Sequence, residues 1–195
     1  MMKWLTLLVL CASMAGGIAG CAKDPFSLRD PEPPGGEGGT YETPVDPLFV
    51  ASNLRFAMIE QNSANYDRTY AETLEFSFDF LLVDRPGIGD SWGSTDESRI
   101  VRNLFDDADS IAVAWTETAG QPDQFPDDST AVLYRTYTIT VVTTVDGEAE
   151  TSTYVGDLVF YMERNTLDLW WIVRWEDRHL GEDQPAWCDL KSRYL

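Results

Sequence analysis

Apolar and polar positions change their spacing several times along this chain, and each change predicts an element. Leu48, Ala51, Leu54, Phe56, Met58 and Ile59 give a broadly helical spread that ends near Gln61. Asp46 stands where a helix cap belongs, and Pro47 fits the first helical turn. Ser63 to Ala71 predicts a short second helix carrying Tyr66 and Tyr70. The period then drops to two: Leu74, Phe76, Phe78 and Phe80 alternate with Glu75, Ser77 and Asp79, the pattern of a half-buried strand. Pro86-Gly87-Ile88-Gly89 breaks the chain. Ser94 and Glu97 then have capping-box spacing ahead of Ile100, Val101, Leu104 and Phe105.

Strand-like runs fill the rest. Ser110–Thr118, Ala131–Val145 and Glu148–Glu163 are three of them, and Asp146-Gly147 marks a hairpin between the last two. Leu167–Asp177 is the fourth. Strict alternation there would send Ile172 and Trp175 to opposite faces, so both faces are covered or a bulge re-aims the strand. From Gln184 a short helix or turn is expected against the body. The order helix, helix, strand, helix, four strands predicts an α+β fold with a curved antiparallel sheet wrapping the helices.

This order, with Leu54 and Tyr66 in Pro47–Tyr70, Trp92-Gly93-Ser94 through Asn103-Leu104-Phe105, and Trp170-x-Ile172-x-x-Trp175-x-Asp177, resembles the NTF2-like (SnoaL-like) cone. The closing Trp187-x-x-Leu190-Lys191-x-x-Tyr194 resembles the end of lipoproteins of an uncharacterised subgroup. These are packing motifs, and they specify a fold better than an activity. The resemblance implies a pocket inside the cone and a convex sheet face available for a homodimer. In enzymes of this fold it implies a carboxylate or histidine base with a tyrosine donor.

The N-terminus follows another logic. Lys3 precedes the apolar run Trp4–Ala12, which is too short to span a bilayer, and small residues follow it. Ile18-Ala19-Gly20-Cys21 resembles the lipobox of bacterial lipoproteins. That implies residues 1–20 as a leader, Cys21 as the lipidated first residue, and the cell envelope as the location. Ala22, in place of an Asp, leans towards an outer membrane facing the periplasm if the cell has one. Residues 21–46 read as anchor and Pro/Gly-rich tether, with an end-to-end distance of roughly 25–30 Å, and 47–195 as one domain. Cys11 would leave with the leader and Cys21 would carry lipid, so Cys188 is expected as a small buried hydrophobe in a domain built without a disulfide.

Composition narrows the chemistry. The chain carries 14 Lys+Arg against 33 Asp+Glu, net −19. That sign opposes nucleic acid and anionic lipid. No nucleophile elbow, phosphate loop, zinc spacing or dinucleotide fingerprint occurs, so neither a metal nor a cofactor is expected. The acid groups at Asp106, Asp107 and Asp109, and at Asp123, Asp127 and Asp128, lack the glycine and terminal Glu of an EF-hand. Candidate catalytic residues are Asp79, Tyr66, Tyr70 and His179, none of which matches a known catalytic set of the fold. Asp79 alternates with phenylalanines and is expected to face solvent or an Arg. His179 is expected in a surface or ion-paired role, and Arg174 with Glu176 as an ion pair. The favoured reading is a lipid-anchored envelope lipoprotein whose domain binds an envelope protein or small ligand without catalysis. The alternative is a tethered isomerase, dehydratase or hydrolase with an Asp/Tyr site, to be decided by whether the cone is open or plugged by Phe and Trp.

Overall fold

A computed structural model describes residues 38–78 and 91–195, which belong to one compact unit. Asp46 caps α1 (Pro47–Ile59) by accepting from the Leu48 amide, with Pro47 in the first turn. The second helix is shorter than the sequence predicts: α2 is Ser63–Asp67, and Tyr70 already begins β1 (Tyr70–Phe78). Asn62 caps α2 and the helix makes barely one turn, so Tyr66 and Tyr70 lie on different elements. A three-residue strand, β2 (Ser91–Gly93), pairs with β1 and runs straight into α3 (Ser94–Asp107).

The remaining strands are β3 (Ala108–Glu117), β4 (Gln124–Asp127), β5 (Thr130–Val145), β6 (Glu148–Arg164) and β7 (Trp170–His179). The main path of the sheet runs β2-β1-β7-β6-β5-β3, with β4 on the side of β5. All pairs are antiparallel except β1 with β7. Asp146 and Gly147 both have positive φ, as a two-residue turn between right-twisted strands demands. The sheet is curved and does not close, and helices pack within it, which is the expected α+β cone.

The tryptophan-rich strand resolves by a bulge. Met162 pairs with Ile172 while the next residue back, Tyr161, pairs with Arg174, so Val173 is the extra residue. The slip turns Arg174 to solvent and brings both Ile172 and Trp175 into the core. Arg174 and Arg178 then flank Glu176 as ion pairs, as expected for Arg174. The C-terminal segment ends in α4 (Trp187–Lys191), whose Trp187, Cys188, Leu190 and Lys191 are all buried.

Residues 38–44 are bound down on the domain. Gly38 O accepts from Asn65, Thr40 bonds Glu60, Glu42 and Asn53 exchange hydrogen bonds, and Pro44 O accepts from the Trp170 amide. Cys21, Asp79 and Phe80 lie outside the described residues.

Candidate functional site: a polar interior occupied by the C-terminal segment

The interior of the cone is filled by aromatic rings. Trp175 stands edge-on to Trp187, Phe160 and Phe76, with centroids 4.5, 4.8 and 5.2 Å away, and Phe76 stacks on Trp92 at 4.4 Å. Trp187 comes from α4, so the chain's own C-terminal segment completes this packing.

Within the rings lies a buried ion pair. Lys191 Nζ is 2.6 Å from Glu97 Oε1, and both side chains are fully buried. At that separation ammonium and carboxylate form a charge-assisted contact in a site closed to solvent. The ammonium also lies 3.8 Å from the ring centres of Phe76 and Trp175 and 4.6 Å from Trp187. An ammonium favours the negative faces of aromatic rings, and that attraction grows when water is excluded. Burial nevertheless pulls the Lys191 pKa below its ordinary value, against the opposing pull of Glu97.

Glu97 is the hub. Tyr66 donates to its Oε1 at 2.5 Å and the Trp92 indole donates to its Oε2 at 2.7 Å. The capping-box reading of Ser94 and Glu97 is therefore corrected. Gly93 is the cap position, Ser94 Oγ donates to Glu72 O, and Glu97 turns inward. One reason is that β2 leads directly into α3, leaving Ser94 already in the first turn. Burial, followed by the Glu97 charge, pushes the Tyr66 hydroxyl well above its ordinary pKa.

A second carboxylate receives the segment's backbone. Asp177 Oδ1 accepts from Tyr137 at 2.7 Å, and its Oδ2 accepts from the Cys188 amide at 2.6 Å. The Tyr137 oxygen in turn accepts from the Trp187 amide at 2.6 Å. Burial raises the Asp177 pKa, and the Tyr137 and Cys188 hydrogen bonds pull the other way. Gly156 makes room for this arrangement. A Cβ there would meet Arg178 O at 2.6 Å and the Tyr137 hydroxyl closer still.

Outer contacts pin the same segment. Val155 N donates to Pro185 O, Asn103 donates to Tyr194 O, and Tyr194 donates to Asp107. His179 Nε2 lies 2.7 Å from Asp189 Oδ2. The interior polar groups thus hold residues 185–194 much as a binding site holds a peptide.

The sequence candidates separate in this frame. Tyr66 lies inside, on Glu97. Tyr70 donates instead to Asp67 at 2.6 Å, beside a groove on the outer side of α3, and burial raises its pKa. His179 sits at the end of β7, and Asp79, with the Asp79/Tyr pairing, lies outside the described residues. Sequence reasoning missed Glu97, Lys191 and the Asp177–Tyr137 pair as interior polar groups. One signal was present: Trp187 and Lys191 are four apart and share a helix face.

No family model matches the chain, and none of the curated proteins does. Solved structures do. A conserved protein from Planctomyces limnophilus is 12% identical with a TM-score of 0.55, over 66% of this chain and 89% of that one. A protein from Kribbella flavida is 14% identical with a TM-score of 0.55, over 69% and 88%. A putative scytalone dehydratase from Novosphingobium aromaticivorans is 12% identical with a TM-score of 0.54, over 70% and 87%. At such identities the likeness is one of fold, and the fold is the NTF2-like cone, which hosts both enzymes and non-catalytic binders.

Proposed function

We propose that this chain is a lipid-anchored lipoprotein of the bacterial cell envelope, carried by Cys21, whose NTF2-like domain is a non-catalytic binding module. The single observation that carries the non-catalytic reading is the filled interior. Glu97 and Asp177, the carboxylates best placed for a cone-type reaction, are engaged by Lys191 and the Cys188 amide of the chain itself. A general base needs the substrate proton within hydrogen-bond reach, and here those positions are taken. The neighbour described as a putative scytalone dehydratase gives the enzyme alternative its chemistry, but that reading requires residues 185–194 to leave.

The anchor rests on the sequence alone: Lys3, the apolar run and Ile18-Ala19-Gly20-Cys21. No helix among the described residues is long and apolar enough to cross a membrane. An outer membrane facing the periplasm is the proposed location, and a homodimer through the convex sheet face is a proposed assembly. Partners would meet the exposed surface, since the interior is taken.

Two experiments test these parts separately. Cys21→Ser should move the protein from the membrane fraction to the soluble fraction, and unchanged retention would refute lipid attachment. Cross-linking in intact cells should join the folded domain to an envelope protein or to a second copy. A protein that stays an uncross-linked monomer, with no partner, would count against the binding module.

A further inference from the structure

His179, Cys188 and Asp189 each present one metal-ligating atom, and these atoms all lie within 4.8 Å of one another. We propose that they form a three-donor site for a borderline transition ion, Zn²⁺ being the best match, that clamps the C-terminal segment to β7. This inference is independent of the anchor and of the binding-module reading.

The fold assembles a set that spacing along the chain does not announce. No second histidine exists, but α4 supplies a thiol and a carboxylate, and the end of β7 supplies the imidazole. Nitrogen, sulfur and oxygen donors suit Zn²⁺, which binds them at about 2.0–2.3 Å and so draws ligand atoms to separations of about 3.5 Å. A spread of 4.8 Å therefore needs to close by roughly 1 Å. His179 Nε2 and Asp189 Oδ2 already meet at 2.7 Å through a proton, and the ion would replace that proton.

The donors are held from behind. The Ala186 amide donates to Asp189 Oδ2 at 2.8 Å, and the Cys188 amide is fixed on Asp177 at 2.6 Å. Such outer hydrogen bonds orient ligands and tune their basicity. The His179 side of the cluster borders a groove. This groove of about 360 Å³ between the ends of β1 and β7 is lined by His179 and Asp177, with Ser77 and Glu176 at its sides. Three donors leave a fourth tetrahedral position for water. The consequence is structural: an ion bridging β7 and α4 would tie the C-terminal segment down in a domain with no disulfide among its described residues.

The test uses Co²⁺ and Zn²⁺ on the full chain purified in detergent. Co²⁺ should produce a thiolate-to-metal charge-transfer band that saturates at one ion per chain and is displaced by Zn²⁺. Zn²⁺ should raise the thermal midpoint. Cys188→Ser should abolish the band, His179→Gln should weaken Co²⁺ binding by at least the roughly 10–100-fold that losing an outer partner costs, and Glu176→Gln on the groove should change neither. Should Cys188→Ser fail to fold, His179→Gln and Asp189→Asn decide in its place: lost affinity supports the site, and unchanged affinity overturns it. No thiolate band at saturating Co²⁺, or a band that survives in Cys188→Ser, also overturns it.

Discussion

Glu97 and Asp67 hold similar company on the two sides of α3. Glu97 accepts from Tyr66 and the Trp92 indole and faces the Lys191 ammonium, all in the dry interior. Asp67 accepts from Tyr70, Ser98 and Arg102, and the Arg102 side chain is 60% exposed. Each carboxylate has a tyrosine, a further neutral donor and a cation. Only the solvent differs. Water can take over any donor that Asp67 loses, whereas nothing replaces a donor lost by Glu97. The same chemical motif is therefore a folding requirement on one side and a surface detail on the other.

The sharpest way to break this comparison is to remove each carboxylate. Glu97→Ala strands a buried ammonium among three rings and should cost about 3–5 kcal/mol in denaturant unfolding. Asp67→Ala strands a solvated guanidinium, a serine hydroxyl and a tyrosine at the edge of a groove, and its midpoint should stay close to the parent's. Equal losses at the two sites would mean that burial is not what separates them. Residues 185–194 should also become protease-sensitive in Glu97→Ala before the rest of the domain does, because Lys191 is what that segment has lost.

The tyrosines give the next smaller contrast. Tyr66→Phe removes a hydrogen bond to a buried carboxylate and should cost about 1.5–3 kcal/mol, whereas Tyr70→Phe should cost about 0.5–1 kcal/mol. Chemical unfolding of both variants under one condition measures the gap. A reversed order would sink the assignment of Glu97 as hub.

Much of the scaffold was legible in the sequence, for physical reasons that particular residues display. Asp46-Pro47 and Asp146-Gly147 act through local backbone geometry, and both behave as local rules require. The conflict between Ile172 and Trp175 left two outcomes, both faces covered or a bulge, and the extra residue Val173 realises the second. The interior was hidden because its key contacts are long-range. Glu97 sits at a capping-box spacing, and only the short β2 strand before it, carrying Trp92, turns it inward. Lys191 looks like an ordinary helix-end cation, since lysine is almost never fully buried unless paired, and its pair is far away in sequence. The edge strand β4 was missed because all four of its residues are exposed and carry no apolar alternation.

The smallest expected effect is the most informative about the ion pair itself. Removing one member of a buried pair is costly, but replacing both with groups of similar shape is often neutral or stabilising, because two desolvation penalties disappear together. Glu97→Gln/Lys191→Met keeps an oxygen for Tyr66 and Trp92 and gives the rings a flexible thioether. Its stability at neutral pH should lie within about 1 kcal/mol of the parent, far from the sum of the single changes. The pH dependence separates the two proteins further. Lys191 has its folded pKa below the ordinary 10.5 because of burial. Its linkage contribution is thus fully present above 10.5 and is lost as pH falls through the folded value. Raising the pH from neutrality towards that value should move the difference in unfolding free energy in the parent's favour, since the double variant has no amine to titrate there. Asp177 is common to both proteins and cancels. A difference that stays flat, or moves towards the double variant, would mean that the Lys191 ammonium is not paying for its burial, and the sealed interior would have to be held by packing alone.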